Sequence, residues 1–154
     1  MKIRINSLLL IIILALASSC STYSDKELQD FDNQIKEYVK KQPEQFEKSD
    51  SGLYYFIEKE GEGENYIKLT DKVTFAYEGK LLNGKIFDRK TPADPITYDA
   101  RVLIEGWKEV FAYLKKGGKA KVVIPPQLGY GDRNLEDIPE NSVLVYDIEI
   151  VDVE

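Results

Sequence analysis

Val73, Phe75 and Tyr77 alternate with Thr74, Ala76 and Glu78, and this period of two predicts a strand with one buried face. The period returns in Ala120, Val122 and Ile124, set against Lys119, Lys121 and Val123. It returns again in Leu144, Tyr146, Ile148 and Ile150, alternating with Val145, Asp147, Glu149 and Val151, whose charged members mark a solvent face. Leu53 to Glu58 is rich in aromatic and β-branched residues, and Gly61 and Gly63 punctuate its end. Asn83-Gly84 stands between Leu81-Leu82 and Ile86-Phe87 and predicts a hairpin. Lys90 to Pro95, with two prolines, reads as an irregular loop or bulge interrupting an edge strand. Trp107, Val110, Phe111 and Leu114 fall at i, i+3, i+4 and i+7, one helix face, with Gly117-Gly118 as its stop. Several strands, one short helix and no βαβ repeat give an α+β class, an antiparallel sheet curled around a single helix.

Nearer the N-terminus the pattern changes. Leu28, Phe31, Ile35, Tyr38 and Val39 make an apolar stripe at helical spacing, and Pro43 ends or kinks that helix. Two readings stand side by side. Residues 25–48 pack on the domain or on a second copy of the chain as a homodimer, or they form a weakly helical spacer. Before them, Lys2 and Arg4 precede an apolar run from Leu8 to Leu16 and a small-residue zone at Ala17-Ser18-Ser19. That order predicts a signal peptide over residues 1–19, the run being short for a bilayer span. Cys20 is the only cysteine and follows at once, the arrangement of a lipoprotein acylation site. The expected organisation is 1–19 signal peptide, 20–50 lipid-anchored spacer or helical segment, and 51–154 folded domain. The expected location is the cell envelope, lipid-anchored, with Ser21 leaning toward the outer membrane.

Composition then removes whole classes of chemistry. The chain of 154 residues has a net charge of −6. Loss of Lys2 and Arg4 with the signal would take the 21 basic residues to 19 against 27 acidic ones, or −8. That balance argues against nucleic acid as a partner. The chain contains no histidine, which excludes Ser-His-Asp and Cys-His catalysis and any zinc site built on His. No metal and no cofactor is expected.

Val102 to Asp132, VLIEGWKEVFAYLKKGGKAKVVIPPQLGYGD, sets an apolar pair, a Gly-Trp, an amphipathic helix, a glycine stop, a strand, a Pro-Pro and a Gly-Tyr-Gly turn in one order. That order resembles the central stretch of the FKBP-type peptidyl-prolyl cis-trans isomerases. VTFAYEGKLLNGKIFD, Val73 to Asp88, and IPENSVLVYDIEIVDVE, Ile138 to Glu154, are similar to the same family's flanking blocks. The resemblance covers Ser51 to Glu154 and extends to the family's lipoprotein forms, including ones associated with gliding motility.

The resemblance implies a half-barrel around one short helix and an aromatic bowl that takes proline-containing polypeptides. Tyr77, Phe87, Ile104, Trp107 and Tyr146 would line it, with Trp107 beneath the proline ring and Leu103 and Ile138 at the rim. The Ile104 backbone N–H and the Tyr130 hydroxyl would donate to substrate carbonyls, and Asp88 would orient Tyr77. Without that context, Trp107, Tyr77 and Tyr146 read as core, Phe87-Asp88 as a packing residue and a turn former, and Tyr130 as a loop aromatic. One departure from the family pattern is Ile96 where many members have an aromatic, with Tyr98 two residues later. Three functions stay open: an isomerase for exported proteins, a binding module of the same fold with little turnover, and a lipoprotein that captures a small apolar ligand.

Overall fold

The computed structural model describes residues 22–154. The signal segment 1–19 and the acylation candidate Cys20 lie outside the described residues. Helix α1 runs Asp25–Val39, opened by a capping box in which Ser24 accepts from the Glu27 amide and the Glu27 carboxylate accepts from the Ser24 amide. It ends before Pro43, which falls beyond the helix and does not kink it.

Seven strands follow: β1 Glu47–Lys48, β2 Tyr54–Lys59, β3 Lys72–Leu81, β4 Ile86–Lys90, β5 Ile96–Asp99, β6 Lys119–Ile124 and β7 Leu144–Val153. Helix α2, Glu105–Phe111, crosses between β5 and β6. The sheet order is β1-β2-β6-β7-β3-β4 with β5 also on β3, and every pairing is antiparallel. This is an α+β architecture, an open antiparallel sheet curled over one helix, as expected from the sequence.

The long β3–β7 ladder carries the site. Its register sets Tyr77 opposite Ile148 and Gly79 opposite Tyr146, while β4 sets Asp88 opposite Gly79 from the other edge. The inner face presents Val73, Phe75, Val122, Ile124, Leu144 and Tyr146 to Trp107, Val110 and Phe111 of α2, and together they form the main core. A Cβ on Gly79 would lie 2.6 Å from both the Phe87 and Tyr146 rings, so only glycine lets the two aromatics meet across β3. The turn from β3 to β4 contains Asn83-Gly84, with Gly84 at φ +87° and the Asn83 side chain accepting from the Lys85 amide at 2.9 Å.

Two expectations need correction. Gly117-Gly118 does not end the helix. The amides of Ala112, Tyr113 and Leu114 donate three residues back, to Glu109, Val110 and Phe111, so the helix tightens and stops at Phe111. Gly117 instead donates to Ile150 at 2.9 Å and leads the chain into β6. The outward side of β6 and β7 is also not all solvent-facing. Val123 and Val145 are buried there with Tyr54, Val143 and Ile35, because α1 lies across that face. Of the two readings of residues 25–48, packing on the domain is the one this structure adopts.

Candidate active site

The inner core opens at one end into a cavity of ≈ 410 Å³ bordered by Tyr77, Asp88, Lys90, Ile96, Tyr98, Val102, Leu103, Ile104, Trp107 and Tyr130. Its residues come from six places: β3, β4, β5, the turn entering α2, α2 itself, and the Gly129-Tyr130-Gly131 loop. Trp107 is held by rings on several sides. Phe75 meets it edge-on at 5.0 Å, Tyr77 at 5.0 Å and Tyr146 at 4.8 Å between centroids. Edge-to-face contacts of this kind fix an indole more firmly than aliphatic packing does. Its Nε1 is buried and has no hydrogen-bond partner among the described residues.

The polar groups are few and specific. Asp88 accepts the Tyr77 hydroxyl on one oxygen and the Arg89 amide, at 2.8 Å, on the other. Burial first, and then the bond to Asp88 and its charge, raises the Tyr77 pKa well above the usual phenol value. The Tyr146 hydroxyl is likewise raised, by burial first and then by Tyr130 beside it. Both phenols therefore keep their protons at neutral pH and act as donors, not bases. Ile104 is the N-cap of α2; its carbonyl accepts from Trp107 at 3.0 Å and Lys108 at 3.1 Å. Its own N–H has no partner among the described residues and remains available to a ligand.

Six of the nine expected site residues meet at this cavity: Tyr77, Asp88, Leu103, Ile104, Trp107 and Tyr130. Three do not border it. Tyr146 is only 1% exposed and sits beneath the floor, touching Trp107, Tyr77 and Phe87 through its ring. Phe87 packs on Tyr146 at 5.6 Å and supports the wall from behind. Ile138 is buried in the main core and does not border the cavity. Sequence reasoning missed Lys90, Tyr98, Val102 and the lining role of Ile96. Ile96 and Tyr98 stand two apart on β5 and so share a face, which was a readable signal. Val102 is 69% exposed in a short 3₁₀ turn, where no periodicity marks it.

Among the described residues no group of three or more His, Cys, Asp or Glu side chains is arranged to hold a metal ion. The arrangement offers an apolar floor, unpartnered donors at the Ile104 amide and Trp107 Nε1, the Asp88 carboxylate and the Lys90 ammonium. Such a site can desolvate and orient a peptide, and it presents no activated nucleophile.

Residues 63–151 match the family of FKBP-type peptidyl-prolyl cis-trans isomerases. The chain belongs to this family. It is 45% identical over 123 residues to the isomerase FkpA of Buchnera aphidicola from Schizaphis graminum, covering 78% of this chain and 49% of that protein. FkpA of Escherichia coli K12 is 39% identical over 139 residues, 88% of this chain and 51% of the relative. The chain thus spans about half the length of the curated relatives it matches. The crystal structure of Escherichia coli FkpA superposes with a TM-score of 0.69 at 31% identity, covering 100% of this chain and 84% of that one. A peptidyl-prolyl cis-trans isomerase from Pseudomonas syringae pv. tomato gives a TM-score of 0.70 at 26% identity, covering 86% and 96%.

Proposed function

We propose that this FKBP-family chain accelerates rotation about Xaa-Pro bonds in exported polypeptides, without covalent chemistry, metal or cofactor. The observation that carries the reading is the apolar cavity over Trp107 with Tyr77 bound to Asp88 at its wall and an unpartnered Ile104 amide at its edge. Rotation of the amide faces a barrier of ~18–20 kcal/mol because resonance is lost at the twisted state. The twisted amide is less polar than the planar one, so a site that strips water from it favours the twisted form. The proline ring rests on Trp107. The Ile104 N–H and the Tyr130 hydroxyl hold the flanking carbonyls, each bond contributing about 0.5–1.5 kcal/mol. Asp88, through Tyr77, fixes the polar wall beside the rotating bond.

The protein acts from the cell envelope, anchored through acyl groups on Cys20 after removal of residues 1–19. No helix among the described residues is long and apolar enough to cross a membrane. Tyr23 is already buried against the domain. Three residues span at most ~11 Å, so such an anchor holds the domain at the lipid surface and does not lift it away.

The test is the cis-to-trans rate of an Xaa-Leu-Pro-Phe peptide with the full chain in detergent. Acceleration that falls in Tyr130→Phe, with unchanged folded spectra, supports the reading. A folded protein that leaves the rate at its uncatalysed value overturns it and leaves a binding module. Membrane release of a Cys20→Ser variant checks the anchor separately.

A further inference from the structure

Tyr130 packs at the edge of the main core, between two cavities. Tyr130 borders the cavity over Trp107 on one side. On the other it borders a second cavity of ≈ 410 Å³, shared with Tyr23, Leu28, Pro126, Gly129 and Gly131. A side chain with space on both sides depends for its position on whatever fixes its backbone.

Besides the loop's own bonds to Pro125 and Pro126, the N-terminal arm holds that backbone. Tyr23 is buried, with its ring edge-on to Phe31 of α1 at 5.2 Å. Its hydroxyl donates to Asn141 Oδ1 at 2.7 Å. Asn141 holds a left-handed backbone, φ 58°, and its amide donates to the Gly131 carbonyl at 2.9 Å. Gly131 in turn donates to Pro126 at 2.9 Å. A Cβ on Gly131 would lie 3.8 Å from the Tyr23 hydroxyl, so the phenol also abuts the loop directly. Burial first, then the charges of Asp132, Glu27 and Glu140, raises the Tyr23 pKa, which keeps the hydroxyl a donor. The arm lies outside residues 63–151, the part that matches the family.

We infer that Tyr23 is a positioning residue for isomerisation: through Asn141 and Gly131 it sets the loop that aims Tyr130 into the cavity. The inference rests on the functional reading above. An N-terminal segment that reads as an anchor and spacer therefore takes part in building the site. Tyr23→Phe keeps the ring on Phe31 and removes the hydroxyl that bonds Asn141.

The experiment is a double-mutant cycle on peptide isomerisation, with the full chain in detergent. Tyr23→Phe is expected to lower kcat/KM about two- to tenfold, the value of one hydrogen bond. In a Tyr130→Phe background the same change should have no further effect, because its route to the substrate is gone. Asn141→Ala should reproduce the loss from the other side of the link. Tyr54→Phe, which removes a different contact of α1, should leave kcat/KM unchanged. An unchanged rate in Tyr23→Phe, or an equal loss with and without the Tyr130 hydroxyl, overturns the inference alone. An inactive wild-type protein overturns the functional reading as well, so the two failures are distinct.

Discussion

Asp88 is the residue on which the polar half of the site turns. It stands exposed on β4, yet both its oxygens are engaged, by Tyr77 and by the Arg89 amide. Replacing it with Val removes the acceptor of the Tyr77 hydroxyl, a loss of about 0.5–1.5 kcal/mol in stability. Chemical denaturation should show that loss, and kcat/KM should fall with it. Gly79 offers a different test. The Phe87 and Tyr146 rings occupy the space a methyl would need. Gly79→Ala should cost about 1–3 kcal/mol and disturb the ring beneath Trp107, read by calorimetry and near-ultraviolet dichroism. Trp107, Leu103 and Ile104 were legible in the sequence because they lie in one contiguous block with fixed spacing. The depth of Tyr146 was not legible, because alternation says which side of a strand a residue faces, not how deep it lies. Val102 left no signal, since exposed apolar residues are common on any surface.

At the scale of elements, most strands and both helices were readable from their periods, and the errors fell at boundaries and on the second face of the sheet. The helix stop was misread because Gly117 serves the next strand through its bond to Ile150. The coverage of Val123 and Val145 could not be read from β6 and β7 alone, because it depends on where α1 docks. That docking gives two predictions. Ile35, on the inner face of α1, is fully buried, and Ile35→Ala should destabilise the protein by about 2–5 kcal/mol in denaturant unfolding. Asp32, also on α1, accepts from Lys36, Lys48 and the Tyr54 hydroxyl. Burial works against its charge, but those bonds outweigh it and lower its pKa from 3.8 to about 2. A depressed carboxylate contributes stability above its unfolded value and loses it as pH falls through the folded one. Stability should therefore decline from about pH 4 toward pH 2, and Asp32→Asn should flatten that part of the profile.

For the molecule as a whole, the chain has no histidine, and the raised phenols of Tyr77 and Tyr146 keep their protons through neutral pH. Turnover should be flat between about pH 6 and 9, unlike that of an enzyme working through a histidine base. The half-barrel itself was legible in the order of three collinear blocks. Sequence periodicity alone reached only a curled antiparallel sheet, because strand order depends on contacts far apart along the chain. The central claim is that proline peptides turn over in the cavity above Trp107, the only tryptophan in the chain. Its fluorescence therefore reports on that cavity and nowhere else. A Leu-Pro peptide should shift the emission with a half-saturation equal to the KM of isomerisation, and the Leu-Ala analogue should not. Isomerisation that saturates while Trp107 emission stays unchanged would place the chemistry elsewhere and contradict the account.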